Sequence, residues 1–161
     1  MNPRKEQFET ILKKYQATAP IRVGALAAEL GLTVLISELP SGISGKLSRD
    51  AANVDRWIIR VNRHEHKNRQ RFTIAHEIAH YVLHRDQIRS DLNSELTDDT
   101  FYRSGLSEKR EWEANRLAAE ILMPWPLIKT LTAAGKKTPR ELAAELGVSE
   151  SAISIRLGLP T

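Results

Sequence analysis

A chain of 161 residues, 41% hydrophobic and 27% charged, is sized for one compact domain with a core of its own. Cysteine is absent, which excludes disulfide scaffolding, thiol catalysis and thiolate ligation, so any metal must be held by histidine and carboxylate. The formal net charge of +4 suits an acidic partner or nucleic acid, but a solvated surface explains so mild a bias equally well.

The opening residues, Met1 to Lys5, lead into a charged amphipathic stretch without the apolar segment of a secretory signal. No apolar run approaches the roughly 20 residues that span a bilayer. The expected location is therefore the cytoplasm, with no membrane partner. Phe8, Ile11, Leu12 and Tyr15 recur at helical spacing and predict a helix from about Pro3 to Tyr15. A short helix follows Pro20, carrying Val23, Leu26, Ala27 and Leu30 on one face and stopped by Gly31. Thr33 to Leu39 reads as a strand ended by Pro40-Ser41-Gly42, and Gly45 to Arg49 as a second. In the third, Trp57, Ile59 and Val61 alternate with Arg56, Ile58, Arg60 and Asn62. These predict an α+β fold, with a small antiparallel sheet of about three strands packed on a helical bundle.

A buried helical stripe runs from about Asn68 to His84, and residues 85–106 read as a long polar excursion. Ser107 can cap a helix from Glu108 to Leu122, which Met123-Pro124-Trp125-Pro126 ends; a short helix then runs to Gly135. In the tail, Thr138-Pro139-Arg140-Glu141 is a capping box with proline at the first helical position. Gly147 stops that helix and Ser149 caps the last one. The expected organisation is one domain over 1–161, with a helix-turn-helix-like C-terminal subdomain over 136–161.

The chemistry lies in His76-Glu77-Ile78-Ala79-His80. Two histidines four apart on a helix stand one turn apart on one face, so both imidazoles can reach one ion. Glu77 lies beside that ion, placed to take a proton from a bound water and hand it to a leaving amine. A third protein ligand is needed, and no histidine follows at the position where some such motifs supply one. Glu111, Glu113 and Glu120 share the later helix, whose buried face is marked by Ala114, Leu117, Ala118 and Ile121. Glu111 falls on that face; Glu113 points off it, and Glu120 reads as a solvated carboxylate. Asn115, one turn later, could hydrogen-bond a ligand from behind. His/His/Glu suits zinc best among common divalent ions.

The segments Arg69–His84 and Glu111–Pro124 strongly resemble the two core motifs of the ImmA/IrrE family of metallopeptidases. The likeness extends through the strand 57–62 and more loosely to both ends. It implies a zincin-like metallopeptidase domain with zinc, one ion per chain, on His76, His80 and Glu111, and Glu77 as general base. Leu117 stands where the family commonly has an aromatic, a change of packing. The resemblance further implies cleavage of a helix-turn-helix transcriptional repressor, which relieves repression. This chain resembles the bare peptidase, without an added DNA-binding or sensor domain.

The remaining features each have a bland reading beside the functional one. His84, one turn beyond His80, could orient the metal site or substrate, but reads more readily as a partly exposed histidine at a helix end near the negative pole of the dipole. His64 and His66 lie in a polar loop. Arg56, Arg60, Arg63, Lys67, Arg69 and Arg71 read either as a docking surface, with the 56–62 strand pairing to a substrate backbone, or as a solvated face. The tail offers Ser149, Glu150 and Ser151 where a DNA-reading helix would carry basic and amide groups, so direct DNA binding is not expected. The competing functions are a DNA-binding or repressor-binding regulator with vestigial proteolysis, and a peptidase of broad specificity. The sequence gives no indication of oligomeric state.

Overall fold

In a computed structural model of the chain, the residues described are 3–50, 52–53, 55–89, 95–99 and 108–160. Two helices lead, α1 (Pro3–Tyr15) and α2 (Val23–Glu29). Three strands follow, β1 (Leu32–Ser37), β2 (Ile43–Arg49) and β3 (Trp57–Asn62), then the long helix α3 (Lys67–Arg89). A fourth strand, β4 (Glu95–Asp99), precedes α4 (Glu108–Leu122), α5 (Trp125–Ala133), α6 (Pro139–Leu146) and α7 (Glu150–Leu157). The fold is α+β, as the mixture of periods implies.

The sheet has the order β1-β3-β2-β4. β2 is antiparallel to both β3 and β4, with Leu47 opposite Ile59 and Leu96, but β1 pairs with β3 in parallel, Val34 opposite Ile59. The sheet is thus mixed, not antiparallel throughout. The turn at Gly42 reverses the chain into β2, the next turn reverses it into β3, and β3 inserts between its two predecessors. It therefore runs the same way as β1. As a central strand β3 is covered on both faces, with Ile58 and Asn62 buried as well as Trp57, Ile59 and Val61. Both of its edges are occupied, so it has none left to pair with a substrate backbone. Buried Asn62 instead latches the preceding turn, its Nδ2 donating to Ile43 O at 2.8 Å.

The expected excursion is shorter than the sequence suggests. α3 continues past His84 to Arg89, and 95–99 pair with the backbone of β2. Asp98 and Asp99 belong to an edge strand, where polar residues are ordinary. Ser107, expected to cap α4, lies outside the described residues.

α3 crosses β2 and β3 at close range. A methyl group added at Gly45 would collide with Thr73 Cγ2 and with Arg60 O, so only glycine permits this approach. α4 lies along α3 with Ala114 and Ala118 fully buried, their small side chains letting the two helices meet. One hydrophobic cluster joins Phe8 and Leu12 of α1, Leu26 of α2, Leu47 and Ile59 of the sheet, Ile78 of α3 and Ile121 of α4. Leu142, Leu146, Val148 and Ile153 from the tail belong to the same cluster. Among the described residues, no helix is long and apolar enough to cross a membrane.

The tail follows its local signals closely. Thr138 Oγ1 accepts from Glu141 N at 3.1 Å, Gly147 takes the left-handed conformation at φ +67°, and Ser149 Oγ accepts from Ala152 N at 3.0 Å. Arg71 of α3 donates to Gly147 O at 3.0 Å and Leu146 O at 3.3 Å, closing the C-terminal end of α6. Asn68 Nδ2 donates to Val148 O, and Arg156 Nε of α7 donates to Met123 O.

Candidate metal centre

The helical period of α3 sets His76 and His80 over one another, both 1% exposed, with Glu77 fully buried beside them. α4 brings Glu111 across, about thirty residues later in the chain, and it is 8% exposed. His76 Nε2 stands 3.3 Å from Glu111 Oε2, and His80 Nε2 stands 3.2 Å from Oε1. The two Nε2 atoms are 3.1 Å apart. Ligands held at about 2.0–2.1 Å on the corners of a tetrahedron stand about 3.3 Å from one another. The three side chains therefore form one triangular face of the size that a divalent ion requires, with every atom within 4.8 Å of the rest.

Their protonation suits a cation. Burial lowers the pKa of His80, against the opposing pull of Glu111, so the ring is neutral near pH 7. Burial alone would raise Glu111, but hydrogen bonds from His76 and His80 win and hold its carboxyl well below the usual carboxylate range. Two imidazoles and one carboxylate are the donor set of many catalytic zinc sites. The residues present fit the ion.

His84 differs from its sequence reading. Because α3 continues for another turn and α4 covers this face, His84 is buried, 4% exposed. Its Nδ1 lies 3.0 Å from His80 Nδ1, and its Nε2 lies 3.4 Å from Glu113 Oε1. Glu113, half-buried, is thus turned toward α3 one place beyond the ligand face. The signal available in the sequence was the third member of an i, i+4, i+8 histidine series, 76, 80 and 84.

Asn115 is half-buried and lines a groove of about 660 Å³ that α3, α4 and α7 enclose. Among the described residues it makes no hydrogen bond to His76, His80 or Glu111. Glu120 is exposed and pairs with Arg116. Most of the basic run is engaged within the fold. Arg56 meets Asp50, Arg60 meets Ser48, Arg63 meets Glu38, Arg69 donates to Ser44, and Arg71 closes α6. His64 pairs with Glu38 at 2.6 Å on the surface, and His66 Nδ1 accepts from Asn68 N at the start of α3.

Comparison with known proteins gives a consistent set of likenesses. Residues 27–158 match the peptidase family described as the IrrE N-terminal-like domain. The radiation response metalloprotease IrrE of Deinococcus deserti is 38% identical over 97 residues, 59% of this chain and 33% of that protein. Its namesake in Deinococcus radiodurans is 38% identical over 86 residues, 53% of this chain and 25% of that protein. The chain thus spans a third or less of the curated relatives it matches. A solved structure described as a Mycobacterium tuberculosis transcriptional regulator superposes with a TM-score of 0.63 at 17% identity, covering 99% of this chain and 48% of that one. That likeness is one of fold.

Proposed function

The chain belongs to the IrrE N-terminal-like family of metallopeptidases, and on that premise we propose that it is a zinc-dependent endopeptidase whose general base is Glu77. The observation that carries this reading is the buried triangle of His76 Nε2, His80 Nε2 and the Glu111 carboxylate, which leaves a fourth position for water or substrate.

When bound there, zinc would act as a Lewis acid on the scissile carbonyl and lower the pKa of a water toward 7. His76 and His80 would hold it through Nε2, and Glu111 would lend the negative charge that offsets part of the ion's. Glu77 stands next to His76 on α3 and shares its buried surroundings. Its carboxylate takes the proton from the attacking water and returns it to the leaving amine, so one residue serves as base and then as acid.

The substrate is a polypeptide, as for the family. We propose further that it is a helix-turn-helix repressor, cut to relieve repression; the two core motifs support this through their resemblance to repressor-cleaving peptidases. The Deinococcus relatives carry a radiation-response name, which makes a stress-response setting consistent with the same reading.

The test is to incubate the purified protein with candidate helix-turn-helix repressors, with and without chelator, and follow fragments by mass spectrometry. Cleavage that chelator abolishes and zinc restores is expected. Glu77→Gln should keep about one zinc per chain and lose at least 100-fold in rate, since a positioned acid–base group contributes about 10²–10⁴-fold. Undiminished cleavage by Glu77→Gln would remove Glu77 from the mechanism.

A further inference from the structure

The C-terminal helix pair has the outline of a DNA-binding unit, yet its last helix faces the peptidase. Val148, Ala152 and Ile155 form one wall of the 660 Å³ groove, with Phe72 of α3 and Ala119 and Met123 at the α4 side opposite. That volume is in the range of clefts that hold ligands, about 300–1,000 Å³. Two residues of its lining adjoin the metal ligands. The Phe72 ring stacks on the His76 ring at 6.3 Å between centroids, and Asn115, in the groove lining, lies one turn beyond Glu111. Among the described residues its lining contains no carboxylate; the charged or titratable side chains there are Arg69 and His66. Ile155 is 68% exposed, an apolar side chain left open where the groove meets solvent.

Resting on the peptidase reading above, we propose that this groove is a specificity channel for an uncharged, apolar stretch of polypeptide next to the scissile bond, and that α7 is its wall. Burial favours the occupant's apolar side chains against Phe72, Met123 and Ile155. Arg69 sets basic residues at a disadvantage. Asn115 offers an amide donor and acceptor to a peptide backbone. The C-terminal pair thereby gains a role that does not involve DNA. The Ser151–Ala152–Ile155 face, which a DNA-reading unit would present to a major groove, is turned to the substrate instead.

The experiment titrates two hydroxamate probes onto the zinc-loaded full chain, one with a glycyl and one with a leucyl side chain, and reads binding by calorimetry. The leucyl probe should bind roughly 10–100-fold more tightly, the return on burying one such side chain. Ala119→Trp and Ala152→Trp, which fill the groove, should reduce that preference to near one while zinc stoichiometry and glycyl affinity hold. Ile155→Glu, at an exposed position that the fold does not need, should do the same if either tryptophan variant fails to fold. Equal affinity of both probes for the wild-type protein overturns the channel and leaves the metal site standing. Zinc uptake with neither probe bound overturns the groove as a route to the ion. Failure to bind zinc at all removes the peptidase reading, and the channel falls with it. Salt-sensitive binding of duplex DNA that Ile155→Glu abolishes would return α7 to the role of a DNA reader.

Discussion

A zinc ion on Nε2 of His80 leaves the ring proton on Nδ1, 3.0 Å from Nδ1 of His84. His84 must then accept at that atom and carry its own proton on Nε2, which faces Glu113 at 3.4 Å. One hydrogen-bond direction thus fixes the tautomer of both rings and aims His80 at the ion. His84→Ala is expected to weaken zinc about 10–100-fold in chelator competition. His84→Asn, whose amide oxygen can accept from His80, should recover part of that loss. Glu113→Ala should weaken zinc less than Glu111→Ala, which removes a ligand. The same residues set the response to acid. Burial holds His80 and His84 below the ordinary imidazole range, each opposed by its carboxylate. Unfolded imidazoles titrate near 6.5, so below about that pH the unfolded chain binds more protons than the folded one. Glu111, also lowered in the fold, adds a loss of the same sign below the usual carboxylate range. The chelated protein should be most stable above about pH 7, and its melting temperature should fall steadily between pH 6.5 and 4. A midpoint that stays level or rises as pH falls from 7.5 to 5.5 would contradict this account.

At the scale of elements, the places where the sequence spoke clearly are those decided within a few residues. The capping box at Thr138–Glu141, the left-handed stop at Gly147 and the Ser149 cap lie where their chemistry puts them. The buried face of α4 followed from spacing alone, and that face carries Glu111. What the sequence concealed depends on distant partners. The parallel pairing of β1 follows from β3 inserting between earlier strands. α3 runs past His84 through the polar residues Arg85-Asp86-Gln87, and β4 is polar because it borders the sheet. The basic run could be read as a docking surface because most of its arginines have partners distant in sequence. Arg71 is the clearest instance, spanning about 75 residues to reach the α6 carbonyls. Hydrogen bonds from a charged donor contribute about 1.5–3 kcal/mol. Arg71→Ala should therefore lower the melting temperature by about 3–10 °C. It should speed amide exchange in α6 and α7 while leaving zinc affinity unchanged. Faster exchange confined to the metal helix would show that Arg71 supports α3 rather than the tail.

For the molecule as a whole, the open question is whether 136–161 is an appendage or a structural part of the peptidase. Leu142, Leu146, Val148 and Ile153 are each at most 4% exposed and join the cluster that contains Ile78 of the metal helix. Fully burying one such side chain contributes about 1.5–3 kcal/mol, so the four together bear roughly 6–12 kcal/mol. Whole domains of this size are stable by only about 5–15 kcal/mol. The tail's share is comparable to the total, before the cation at Arg71 loses its acceptors. Removing residues 136–161 should therefore abolish cooperative unfolding, and excess zinc should not restore it. At 100 times its dissociation constant an ion adds only about 2.7 kcal/mol, well short of the loss. The measurement is a thermal scan by circular dichroism of the truncated chain with and without zinc, beside the full chain. A cooperative melt with zinc bound in the truncated chain would make the helix pair separable. The groove wall would then be something added to a peptidase that stands without it.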